Sequence, residues 1–333
     1  MKTTSIYVTN LCVPCNCHCR YCLLSWSNKL VGVDYDRSVK YAKRFYDWMQ
    51  EHHPEKKLIY YYGYSMEHPH LLESIDFMKS IGSPSGEFLQ FDGMRMRNEA
   101  EIEELLMGIM AHGIKLIDLT FYGTREYHDK FAGRKGDFDF MINVLSAANR
   151  LGLSVNVDIP LTQENAEQID ELVNLFSSYK LSKISLFVPH AEGRGSALNA
   201  IRFRKEDYEK LSESSRMLLN TRIYRTEAEW VEKRKFVVHE NRVLAISLTP
   251  ENIEMFEQMA FDDTISYLEK MDDDYYSSIP SLEELVEIYG DAENTEYYSQ
   301  RDLYLKYQRR YIQEHGLKLH DVNDERQCFS RRY

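Results

Sequence analysis

Cys12-Val-Pro-Cys15-Asn-Cys17-His-Cys19-Arg-Tyr-Cys22 holds five of the six cysteines of this 333-residue chain. Read from Cys15, the spacing is C-x3-C-x2-C. Three thiolates this close wrap three corners of a cubane iron–sulfur cluster and leave the fourth iron to a ligand from outside the protein, whereas most clusters take four cysteines. A zinc site would pair Cys12-x2-Cys15 with Cys19-x2-Cys22, but zinc ribbons separate their pairs by a dozen or more residues and here only three intervene. A disulfide framework needs an oxidising compartment.

Around this stretch the chain has the length of one large domain or two ordinary ones. No apolar run reaches membrane-spanning length. Met1-Lys-Thr-Thr-Ser leads into a strand-like run without a signal-peptide pattern, and clustered reduced cysteines then point to the cytoplasm. The net charge of −12 argues against a broad nucleic-acid surface. Residues 261–300 hold twelve acids against one lysine, Lys270. That bias reads as a solvated helical face, with a docking surface for a basic partner as the alternative.

Strand and helix patterns alternate along the first two thirds. Strands are expected at 3–9, 58–62, 87–91, 115–121, 153–159 and 183–188. Helices are expected at 34–52, 68–80, 98–112, 137–150, 165–179 and 205–219. Six strand–helix pairs in strict order imply a parallel sheet with right-handed crossovers, and a closed barrel would need eight. The fold class is therefore α/β, a partial (β/α)6 TIM-like barrel over residues 1–220. Residues 221–333 read as an acidic, mostly helical extension, with a hairpin over 234–246 turning at Glu240-Asn241 and helices at 251–259, 282–289 and 300–314. Ligands bind at the carboxyl ends of strands in such folds, and the cysteine stretch follows the first strand.

The three-cysteine motif in this setting resembles the radical S-adenosylmethionine (SAM) family, and the resemblance covers about residues 6–197. It implies a 4Fe–4S cluster held by Cys15, Cys19 and Cys22, with SAM chelating the open iron. Tyr122-Gly-Thr-Arg-Glu-Tyr-His-Asp-Lys-Phe-Ala-Gly-Arg-Lys-Gly-Asp-Phe is similar to the loop after the fourth strand in peptide-modifying members. Asp158 to Asn165 and Val188 to Gly195 resemble their fifth- and sixth-strand endings. The family's Gly-Gly-Glu-Pro run is altered here to Gly63-Tyr64-Ser65-Met66-Glu67-His68-Pro69. Ser65 or Glu67 would then meet the SAM ammonium, unless Glu67 only opens the next helix. Thr120, Asn156 and Asp158 are the polar candidates at strand ends. Asn156 and Asp158 share one face by the two-residue strand period and would suit a ribose hydroxyl pair, the alternative being a water-filled or mutually paired interior. Tyr21 and Val188 are expected at adenine. His128 and His190 read as structural or substrate-pocket residues, and Cys12 and Cys17 as surplus to the cluster.

The family's chemistry implies one-electron cleavage of SAM to a 5′-deoxyadenosyl radical that abstracts a hydrogen atom from the substrate. The resemblance points to a peptide or protein substrate. The alternatives are a small molecule (nucleoside, sugar or amino acid) or a non-catalytic iron–sulfur or zinc scaffold. A flavodoxin- or ferredoxin-type donor is required. The extension lacks the cysteines of a SPASM or twitch domain, so a single cluster is expected. Cys328 stands alone near the end. It is either an incidental tail cysteine or a thiol that returns a hydrogen atom to the substrate. The extension is expected to cover the open barrel.

Overall fold

A computed structural model describes residues 2–10, 15–20, 32–62, 67–83, 86–91, 93–191, 193–237 and 241–317, with the side chains of 193–196 excepted. Six strands come first: β1 (Lys2–Asn10), β2 (Lys57–Tyr62), β3 (Phe88–Gln90), β4 (Leu116–Thr120), β5 (Ser154–Pro160) and β6 (Lys183–Phe187). Between them run α1 (Tyr35–His52), α2 (Leu71–Ser80), α3 (Glu99–Ala111), α4 (Arg125–Ala132), α5 (Asp137–Leu151) and α6 (Ile169–Phe176). Every ladder among these strands is parallel, with β2 beside β1 and the others in the order β3-β4-β5-β6. Helices connect these strands in chain order into the partial (β/α)6 barrel, in which β2 and β3 belong to separate sheets and share no ladder among the described residues.

The pattern that predicts these elements also buries them. In α1, Tyr41, Ala42, Phe45 and Met49 recur at helical spacing and are all buried, and Asp34 caps the first turn by accepting from Arg37 N at 3.1 Å. In β5, Val155, Val157 and Ile159 are fully buried in one core with the α5 residues Phe140, Val144 and Leu145. The alternate residues Asn156 and Asp158 therefore occupy the opposite face of the strand.

Beyond β6 the chain departs from expectation twice. The helix expected over 205–219 is two single turns, α7 (Lys205–Tyr208) and α8 (Glu213–Arg216). Ser212 interrupts it by capping the second turn, its hydroxyl accepting from Ser215 N at 3.3 Å. Of the hairpin expected over 234–246, residues 234–237 form no strand and 238–240 lie outside the described residues, while the second arm is β8 (Asn241–Ser247), which runs parallel to β1 on the side away from β2. Leu244, Ala245, Ile246 and Ser247 are buried in succession, the signature of a strand covered on both faces.

The remaining elements are β7 (Tyr224–Thr226), α9 (Glu227–Lys233), α10 (Ile253–Gln258), α11 (Phe261–Ser277), α12 (Leu282–Tyr289), β9 (Tyr297–Ser299) and α13 (Gln300–Glu314). They divide in two. With β8, α10 and α11 extend the barrel's first flank: Phe261 stacks on Phe45 at 4.6 Å and Glu257 pairs with Arg37 at 2.6 Å. The antiparallel pair β7–β9 and α9, α12 and α13 build a second core around Trp230, Leu285 and Tyr307. Nine of the twelve acids in 261–300 are exposed, as a solvated face requires. Of the other three, Glu269 and Glu296 are half-buried and Asp272 is buried, against Arg242 of β8 at 2.8 Å. No helix of the described residues is long and apolar enough to cross a membrane.

Candidate functional site

The cysteine loop leaves the carboxyl end of β1. Asn10, the last residue of that strand and fully buried, closes the loop's base with its amide: Nδ2 donates to Val33 O at 2.8 Å and Oδ1 accepts from Val33 N at 2.9 Å. Within the loop, Asn16 N donates to Gly93 O beyond β3 at 2.8 Å. His18 N donates to Ala132 O at 2.8 Å and Arg20 N to Phe131 O at 3.1 Å, both at the end of α4. Gly133 makes that docking possible. Its φ is +66°, and a Cβ there would lie 2.8 Å from His18 Cβ and 3.1 Å from His18 O.

Cys15 and Cys19 are partly exposed, while Cys17 between them is buried. Cys19 Sγ lies 3.1 Å from the Tyr122 hydroxyl. No disulfide joins these three cysteines. Two accessible soft donors four residues apart, in an irregular loop at a strand's carboxyl end, suit an iron–sulfur cluster. The rest of the predicted set, Tyr21 and Cys22, lies outside the described residues, as do Cys12, Gly63, Tyr64, Ser65 and Cys328.

Tyr122 is held from behind. His128 is fully buried; its Nδ1 accepts from Tyr122 N at 3.1 Å, so Nε2 carries the ring proton toward Asp137 Oδ2 at 3.2 Å. Burial alone would raise the Asp137 carboxyl, but the His128 hydrogen bond and the Arg134 guanidinium hold it below its usual range. Asp129, next to His128, accepts from the backbone N–H groups of Gly136 at 2.5 Å and Phe138 at 2.9 Å and fixes the start of α5. The His-Asp pair and the Gly-x-x-Gly-x-Phe run of the sequence are thus the cradle of the cysteine loop.

The strand face opposite the helices is polar. Across the sheet, Gln90, Asp118, Asn156 and Lys183 form one row, and Thr120, Asp158 and Ser185 the next. Burial pushes the Asp118 carboxyl up to about 6; the Asp158 charge adds to this, against the Asn156 hydrogen bond and Lys183. Burial also raises Asp158, against its hydrogen bond from Ser185 and the Lys183 charge. Asp118 Oδ1 is buried without a hydrogen-bond partner among the described residues. Sequence reading missed Asp118, although it stands two residues before Thr120 and the strand period places both on one face.

Glu67 is taken up by Arg97, at 2.5 Å and 3.2 Å, and by Arg95 N at 2.7 Å, which ties the segment after β2 to the segment after β3. It precedes α2 rather than opening it, since that helix starts at Leu71. Val188 is buried in the common core. His190, just beyond β6, places Nδ1 2.8 Å from Oδ1 of Asp302, a fully buried carboxylate of α13.

No family model matches the chain. A curated relative, Fe-coproporphyrin III synthase of Methanosarcina barkeri, is 28% identical over 86 residues, which is 26% of this chain and 22% of that protein. The solved structure of coproporphyrinogen III oxidase (HemN) from Escherichia coli, described as a radical SAM enzyme, matches with 14% identity and a TM-score of 0.39 over 64% of this chain and 48% of its own. The chain is similar to a radical SAM enzyme. Native anSMEcpe with bound AdoMet and Cp18Cys peptide matches with 16% identity and a TM-score of 0.42 over 62% of this chain and 57% of its own. The chain spans less than two thirds of each of these three proteins. At such distances none of the three decides the role of a residue.

Proposed function

We propose that this chain is a radical SAM enzyme that binds a 4Fe–4S cluster through Cys15, Cys19 and Cys22 and acts on a peptide or protein side chain. The observation that carries the reading is the cysteine loop itself. Cys15 and Cys19 are accessible and Cys17 is buried, in a loop docked onto the end of α4 at the carboxyl end of β1. When bound, the cluster and SAM supply one-electron cleavage chemistry.

The chain's own residues position and shield. Asn10 and Gly133 set the loop's entry and its seat, and the Tyr122 hydroxyl faces the Cys19 sulfur. A hydrogen bond to a ligating sulfur withdraws charge and raises the cluster potential. Thr120, Asn156 and Asp158 offer hydroxyl, amide and carboxylate groups to the ribose of SAM. Ser65 serves the SAM ammonium. Glu67 is engaged by the Arg97 side chain and the Arg95 backbone N–H, which leaves the ammonium to Ser65. Tyr21 and Val188 border the adenine. The part of the extension built on β7, β9 and α13 limits water at the strand ends. The electron donor is a flavodoxin- or ferredoxin-type protein, and the chain works in the cytoplasm. Peptide rather than small-molecule chemistry rests on the resemblance of the 122–138 loop to peptide-modifying members.

Anaerobic reconstitution with iron, sulfide, a reductant and SAM tests the proposal. Release of 5′-deoxyadenosine above a Cys15→Ala control is the expected result. A reconstituted chain that leaves SAM intact under these conditions contradicts it.

A further inference from the structure

Arg202 stands at the carboxyl ends of the strands. Its backbone bridges to Thr162 beyond β5, and its carbonyl accepts from Gln163 Nε2 at 2.9 Å. The residue is 3% exposed. Its Nε donates to Tyr297 O at 3.0 Å, and its guanidinium lies 4.0 Å from the centroid of the Tyr298 ring. Its Nη2 is buried with no hydrogen-bond partner among the described residues.

Arg225 repeats the arrangement next door. It is the cross-strand partner of Tyr298 in the β7–β9 pair, which puts the two side chains on one face as neighbours. Its guanidinium lies 4.5 Å from the centroid of Trp230, whose Nε1 donates to Tyr298 O at 3.0 Å. Arg225 Nη1 is also buried without a partner among the described residues.

A buried guanidinium N–H left unmatched is costly, and the nearby acids are already engaged. Glu227 is held by Lys306 and Asn294, each at 2.6 Å, and by the Tyr307 hydroxyl. Asp302 is held by His190 at 2.8 Å and the Ser299 hydroxyl at 2.6 Å. Tyr224 lies within electrostatic reach of Asp302, Asp158 and Arg202, which joins this corner to the polar strand face.

We propose that Arg202 and Arg225 bind a carboxylate of the substrate, such as a peptide C-terminus, at the mouth of the partial barrel. This rests on the reading of that mouth as the reaction site. The planar fork of arginine matches a carboxylate, and stacking on Tyr298 and Trp230 fixes each fork while excluding water, which strengthens the charge-assisted bonds.

Isothermal titration calorimetry on the intact chain, without iron or SAM, tests the site. The probes are N-acetylglycine, its uncharged twin N-acetylglycinamide, and inorganic phosphate. N-acetylglycine is expected to bind at least tenfold more tightly than the amide. Arg225→Met and Arg202→Lys should each weaken it at least tenfold with an unchanged circular dichroism spectrum. Equal binding of the acid and the amide overturns the proposal on the natural sequence alone, whatever the variants do. So does an Arg225→Met chain that binds N-acetylglycine normally. Phosphate bound more tightly than N-acetylglycine and lost in Arg225→Met overturns the assignment to a carboxylate. Because the titration needs no cluster, its failure leaves the iron–sulfur reading standing, and a failure to assemble the cluster leaves this one standing.

Discussion

At the scale of single residues, the cysteine loop depends on residues outside the cysteine motif. Gly133 admits the cysteine loop because it has no Cβ and a left-handed backbone. Gly133→Ala should cost about 1–3 kcal/mol in backbone strain and push His18 outward. The expected outcome is a folded chain that takes up less iron, measured as iron per chain; full loading would contradict it. Tyr122→Phe removes the hydroxyl 3.1 Å from Cys19 Sγ. The cluster's midpoint potential should then move to a more negative value in a redox titration, and an unmoved potential would refute the contact. Asp118 gives a pH signature. Its carboxyl is raised from 3.8 to about 6, so between those values the folded chain binds more protons than the unfolded one and loses stability as pH rises. Asp118→Asn removes that loss. It should melt at a higher temperature than the natural chain at pH 7, by about 1–3 kcal/mol of stability, with the gap closing near pH 4. A gap independent of pH would mean that ionisation of Asp118 is not its cause. Asp118 was open to sequence reading through the two-residue strand period. Asn10 and Gly133 were not, because their partners Val33 and His18 are set by loop paths that no periodicity encodes.

At the scale of elements, the six strands and five of the six helices between them were legible because their apolar residues repeat at the period of the element, whereas α4 lies in a stretch that reads as a loop after the fourth strand. The region after β6 was less so. Ser212 is a cap hidden inside a run that reads as one helix. The apolar run Val243 to Ile246 fits a hairpin arm as well as it fits a parallel strand covered on both faces, and only its pairing with β1 decides. That pairing changes what truncation means. Removing everything after residue 220 strips β8 from the edge of β1 and exposes Phe45, which Phe261 covers. Such a fragment should aggregate, because it presents an unpaired strand edge beside bare core. A fragment that stays monomeric in size-exclusion chromatography and keeps its circular dichroism would show that the flank is dispensable. The part built on β7, β9 and α13 has a core of its own and meets the barrel through His190–Asp302 and Arg202–Tyr297.

At the scale of the whole molecule, the protein is a partial barrel with a cysteine loop after β1, a polar strand face, and an extension that meets it at His190 and Arg202. The central claim is that Cys15, Cys19 and Cys22 together hold one 4Fe–4S cluster. Single alanine variants of all five clustered cysteines, reconstituted anaerobically and assayed for iron, sulfide and visible absorbance, test it most directly. Four irons per chain are expected in the natural protein and in Cys12→Ala and Cys17→Ala, with the cluster absorbance lost in each of the other three. A cluster that survives Cys19→Ala and disappears in Cys12→Ala, or a chain that takes up zinc in place of iron, would contradict the account.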